Sequence, residues 1–172
     1  MAARGVCSCA GGSKEDDRGH GMPIQAIAYT SEAVPGFGLD AADDLARGAA
    51  DFNMHAGVTG LLLFDGARFL QYLEGPEDGI AVVYSRVQNS RRHTGMVELG
   101  RARTGRRHFP YWAMRMLPAE PAELRGAVGK DWSSFVVRQA APPDDGRYGL
   151  EELARIVVPH LGRSPAESPR SG

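Results

Sequence analysis

At 172 residues, 42% of them hydrophobic and 24% charged, the chain is long enough for one domain with a substantial core. A net charge of −1 gives no electrostatic reason to expect nucleic acid or anionic lipid as partner, and the pairs Arg91-Arg92 and Arg106-Arg107 are too isolated to change that. No apolar run of about 18 residues is present to span a membrane, and the first residues lack the apolar stretch of a secretory signal, so no membrane is expected and the cytoplasm is the expected compartment.

In chain order, residues 1–21 are rich in Gly, Ser and charge and read as a disordered leader, with Met22 a candidate translation start. The only cysteines, Cys7 and Cys9, lie in it, too close together for a disulfide. A metal site would need further ligands, and the nearest histidine, His20, sits among polar and glycine residues, so no metal is expected. Ile24–Tyr29 alternates as a strand, and Val34–Gly38 is a loop. Asp40 is placed to cap a helix whose first turn carries Asp43 and Asp44 and whose one face holds Leu45, Ala49, Phe52 and Asn53. Strands follow at Thr59–Phe64 and Arg68–Leu73, joined by the turn signal Asp65-Gly66. Gly75-Pro76 punctuates the chain ahead of a second helix with Ile80, Val83, Tyr84 and Val87 on its apolar face. Two more strands are predicted at Met96–Arg103 and His108–Leu117.

The order β-α-β-β-α-β-β predicts an α+β fold, a ferredoxin-like sheet with two helices on one face. Beyond it, helices are predicted at Glu120–Lys130 and Leu150–Val158, separated by Pro142–Gly146, with a disordered tail at 162–172. This divides the chain into a leader, a domain over 22–117, and a helical extension over 118–161. Leu124, Val128, Ile156 and Val157 of the extension suit the sheet's second face, to which Ala26, Ala28, Leu70 and Tyr72 belong.

Alternation puts Ile27 and Tyr29 on one face, then Phe69, Gln71 and Leu73, and on the last strand Trp112, Met114 and Met116. If these are the helix-covered faces, Tyr29 and Gln71 meet Asn53 from the first helix. Burying three such groups is costly unless they bond to one another or to a ligand. The alternative is three unrelated residues, each bonded to nearby backbone.

The strings AYTSEA (28–33), GVTGLLLFDGARFLQYLEG (57–75), SRRH (90–93) and FPYWAM (109–114) resemble the BLUF family of flavin-using blue-light sensors, over Met22 to about Met116. The resemblance implies FAD as the bound flavin, Tyr29 as the photoactive tyrosine, and Gln71 as the glutamine between it and the flavin. It implies that Asn53, Arg86, Arg92 and His93 also hold the flavin, and that Trp112 and Met114 exchange places near the glutamine in signalling. A phenol can lend an electron and a proton, and a carboxamide can reverse its donor and acceptor ends, so light rewires a hydrogen-bond network without consuming anything. Phe52 and Ser90 depart from the family pattern, where polar and acidic residues are usual; affinity is the property they put at stake.

No nucleophile elbow, phosphate loop or H-E-x-x-H spacing is present, so the chain is expected not to be an enzyme. A ferredoxin-like binding module insensitive to light is the alternative. With no effector domain in the sequence, the signal is expected to leave through Pro118–His160 to a separate downstream protein or through self-association, most simply a homodimer.

Overall fold

Strand β1 (Ile24–Ala33) occupies an interior place in a five-stranded sheet. The computed structural model describes residues 23–133, 135 and 148–161. The predicted leader, Met22, the two cysteines, the Pro142–Gly146 interruption and the tail from residue 162 lie outside them. Helix α1 (Leu39–His55) carries the chain over one face to β2 (Thr59–Phe64), which turns back into β3 (Arg68–Pro76). Gly66, at φ +93°, supplies the left-handed residue this tight turn needs, and Asp65 Oδ1 accepts the N–H groups of Ala67 at 3.0 Å and Arg68 at 2.7 Å. Helix α2 (Glu77–Gln88) then crosses the same face to β4 (His93–Thr104). β3 lies antiparallel between β1 and β2, β4 is antiparallel to β1, and β5 (Arg115–Pro118) is parallel to β2. The expected ferredoxin-like layout with an added strand and two helices on one face is found.

The sheet divides two cores. Ile27, Phe69 and Leu73 pack with Ala42, Ala46, Ile80 and Val83 of α1 and α2. On the other face Ala26, Ala28, Leu70 and Tyr72 meet Leu124 and Ala127 of α3 (Pro121–Val128) and Leu150, Leu153 and Val157 of α4 (Gly149–Val157). The C-terminal helices thus cover the second face, as their apolar residues suggest, with Val128 and Ile156 half-buried at its margin. Trp132 and Phe135, unnoticed in the sequence, lie between them, and Trp132 rests on Gly149, where a Cβ would stand 2.0 Å from the indole. Among the described residues no helix is long and apolar enough to cross a membrane.

Three sequence expectations need correction. α1 begins at Leu39 with Gly38 as its N-cap, so Asp40 is a first-turn residue that complements the helix dipole and caps nothing with its side chain. β4 starts at His93 rather than Met96, because pairing with β1 continues to Ala33. The largest difference is the predicted strand His108–Leu117: only its end pairs, in the short β5 at Arg115–Pro118. Residues 105–114 form a loop instead, captured by side chains of β2 and β3.

Candidate functional site

Tyr29, Ser31, Phe69 and Gln71 project from neighbouring strands toward the helices, and α1 presents Leu45, Ala49, Phe52 and Asn53 opposite them. Together with Arg86, Val87, Arg92, His93 and Met114 they enclose a cavity of about 520 Å³, within the range of small-molecule and cofactor sites. All six residues expected to hold a cofactor (Tyr29, Asn53, Gln71, Arg86, Arg92 and His93) line it. The pairing of β1 with β4 shifts register between Ala28 and Tyr29, and again between Thr30 and Glu32. Bulges of this kind re-aim side chains beside functional sites, and here one adjoins Tyr29 and the other takes in Ser31.

At the floor of the cavity the Tyr29 hydroxyl donates to Gln71 Oε1. Burial, reinforced by Tyr84, pushes the Tyr29 phenol well above its ordinary value, so it stays protonated and acts as the donor. The other end of the carboxamide, Nε2, donates to Met114 Sδ at 3.5 Å. Thioether sulfur is a weak acceptor, so one side of Gln71 is held firmly and the other loosely. Tyr29 and Gln71 sit opposite each other in the β1–β3 register, which brings the pair together across 42 residues of sequence.

Asn53, 2% exposed, donates from Nδ2 to the Ala113 carbonyl at 2.9 Å. His93 stacks near Tyr29, at 6.5 Å between ring centroids, and its Nε2 donates to the Val87 carbonyl at 3.1 Å. Desolvation lowers the His93 pKa, the Val87 bond opposing it, which favours the neutral ring. With Nε2 committed, Nδ1 is left as an acceptor; it is buried and unpartnered, and so is Ser31 Oγ. Both atoms belong to residues lining the cavity. Buried polar atoms seldom go unsatisfied, and two on residues that line one cavity fit a polar ligand there. A flavin, with an apolar ring system edged by donors and acceptors, suits this mixture of Phe52, Phe69 and Leu62 with Asn53, Gln71, His93 and Ser31.

Both departures from the family pattern have local roles. The Arg86 guanidinium lies over the Phe52 ring, 4.5 Å from its centroid, so the ring face is shared with a cation at the cavity wall. Ser90 Oγ accepts the Arg92 N–H at 3.3 Å, forming a short turn at the entrance.

Trp112 is not brought to the site with Met114. Met114 is 9% exposed and packs on the helix side, whereas Trp112 is half-buried against the C-terminal core with the Arg115 guanidinium 4.8 Å above its ring. Strand alternation predicted one face for both; the segment is loop, so alternation does not apply. Ser31, two residues beyond Tyr29 on the same strand face, also lines the cavity. Among the described residues no group of three or more His, Cys, Asp or Glu is arranged to hold a metal.

Comparison with known proteins agrees with this geometry. The family model described as "Sensors of blue-light using FAD" matches residues 24–115, more than half of the chain. The blue light- and temperature-regulated antirepressor BluF of Escherichia coli is 47% identical over 47 residues, covering 27% of this chain; the chain spans 12% of that protein. Among solved structures, the one described as BlrP1 BLUF is 28% identical, with a TM-score of 0.56, covering 86% of this chain and 97% of that one. The dark-state structure of BlrB, a BLUF protein, has the same fold at 23% identity and a TM-score of 0.60, covering 81% of this chain and 98% of that one. Matched by the family model over the residues that build this cavity, the chain belongs to the BLUF family of blue-light sensors that use FAD.

Proposed function

We propose that this chain senses blue light through Tyr29 and Gln71 and signals through its C-terminal helices without being an enzyme. The observation that carries the reading is the buried Tyr29–Gln71 hydrogen bond at the floor of a cavity lined by two residues with unpartnered polar atoms. Asn53, Gln71, His93 and Ser31 would meet the flavin's polar edge, Phe52 and Phe69 its ring, and Arg86 and Arg92 the more polar parts toward the entrance. When bound, the flavin supplies a blue-absorbing ring whose excited state can draw an electron from a nearby phenol.

Tyr29 is the phenol in place, and in the dark arrangement Gln71 Oε1 accepts its O–H. Rotation or tautomerisation of the carboxamide reverses what Gln71 offers to Tyr29 and gives up only the weak bond to Met114 on its other side. Each hydrogen bond is worth about 1 kcal/mol net, so the output is a modest population shift unless several contacts change together. Contacts available to sum lie along residues 112–114: Ala113 on Asn53, Met114 on Gln71, and Trp112 against the core that carries α3 and α4.

This supports residues 22–117 as the flavin-binding unit and 118–161 as the output segment. A separate downstream protein, or a change in a homodimer, would receive the signal in the cytoplasm. The purified protein should be yellow, release FAD on denaturation, and show a reversible red shift on illumination. Hydrogen exchange in dark and light, with solution mass measured in both, tests the output. Identical exchange over 118–160 alongside a normal spectral shift would rule the C-terminal route out.

A further inference from the structure

Three residues beyond Gln71 on β3, Glu74 points to the opposite face and is completely buried. Its carboxylate accepts the Phe109 N–H at 2.6 Å, the His108 N–H at 2.8 Å, the Tyr72 hydroxyl at 3.1 Å and the Thr59 hydroxyl at 3.4 Å. Arg107 reinforces the same spot through the backbone, donating to the Glu74 carbonyl at 2.8 Å, to Thr59 Oγ1 at 2.9 Å and to the Gly57 carbonyl. One end of the 105–114 loop is therefore fixed to β3 and β2 at residues 107–109.

The other end of that loop is fixed at the cavity. The Gly60 N–H donates to the Trp112 carbonyl at 2.8 Å, Asn53 holds Ala113, and Met114 receives Gln71. Only the exposed Pro110 and Tyr111 lie between the two anchorages. Burying a carboxylate is costly, and an apolar side chain could close this face. What the carboxylate adds is direction, since short charge-assisted bonds to two consecutive amides hold the loop in one register.

We propose that Glu74 is a positioning residue of the light switch: by holding His108 and Phe109 it sets where Ala113 and Met114 meet Asn53 and Gln71, and so favours the dark arrangement. The inference rests on the reading of Gln71 as the switch. Weakening the anchorage then leaves the flavin and the photochemistry in place but removes part of the bias that returns the site to its dark state.

The test uses the full chain with bound flavin, measuring flavin occupancy, melting temperature, light-induced shift and dark-recovery rate. Glu74→Gln keeps the shape but offers an amide N–H to backbone donors, and Tyr72→Phe removes one donor while its ring stays packed on Phe109 and Phe135. Expected are retained flavin and shift, with recovery slowed about ten-fold in Glu74→Gln and about three-fold in Tyr72→Phe. Ile80→Ala, which lowers stability from the core on the sheet's other face and belongs neither to the cavity lining nor to the output helices, should recover at the wild-type rate. Recovery within about two-fold of wild type in both loop variants, or equal slowing in Ile80→Ala, overturns the proposal. If Glu74→Gln does not fold, Tyr72→Phe decides alone. A wild-type protein that binds flavin but shows no shift would instead fail at the sensor reading itself, and take this inference with it.

Discussion

Strand β3 shows Phe69, Gln71 and Leu73 to one side and Leu70, Tyr72 and Glu74 to the other, and the two rows meet different surroundings. On the Glu74 side the sheet is covered: Trp132, Phe135 and two helices close over it, and the buried Glu74 carboxylate has four donors. On the Gln71 side the same backbone borders a cavity of about 520 Å³ with two polar atoms left unpartnered. A polar group whose partners all come from the protein holds structure in place. One that is half-held, beside unsatisfied neighbours and open space, is where a ligand acts. Burial alone does not separate the two, for Gln71 and Glu74 are both buried; satisfaction does.

The contrast predicts that the two faces fail differently. Leu153→Ala should cost about 2–5 kcal/mol of stability, because a fully buried leucine leaves a cavity in the core, while the flavin shift stays normal. Denaturant unfolding and light-minus-dark spectra on one sample check both halves. Gly149→Ala attacks the same face by overpacking against Trp132, and should cost about 1–3 kcal/mol or more with the spectrum unchanged.

Smaller effects belong to the open face. Phe52→Ala should weaken flavin binding about five-fold by removing the ring shared with Arg86, leaving the red shift in place. Fluorescence titration of the apoprotein reads this directly. The smallest effect is on pH dependence. Burial lowers the pKa of His93 and of His108 from 6.5, so the unfolded chain binds more protons than the folded one near that value. Their contribution to stability is complete above the unfolded value and is lost as pH falls through the lower folded values. Melting temperature should therefore drop as pH is taken from about 7 to about 5, and His108→Gln should flatten part of that slope.

Much of this was legible in the sequence because it depends on local pattern. Alternation over Phe69–Leu73 placed Gln71 beside Tyr29, the Asp65-Gly66 turn set the hairpin, and helical spacing put Asn53, Phe52, Ala49 and Leu45 on the cavity wall. The segment FPYWAM misled because its aromatic residues favour strand while its backbone is claimed by Glu74, Asn53 and Gly60 from distant positions. Glu74 gave no signal for the same reason: its donors arrive from a loop 34 and 35 residues later. Trp132 likewise acquires meaning only when Gly149 is folded against it. Ser31 was readable by alternation from Tyr29, but its significance lies in lacking a partner, which only coordinates reveal.

The central claim is that the Tyr29–Gln71 pair on the open face is the light switch. Light-minus-dark absorption spectra of the purified protein and of Gln71→Ala, each loaded with FAD, test it most directly. The account predicts a reversible red shift in the wild type and a yellow, flavin-loaded variant with no shift at all. A Gln71→Ala protein that shifts and recovers like the wild type would contradict it.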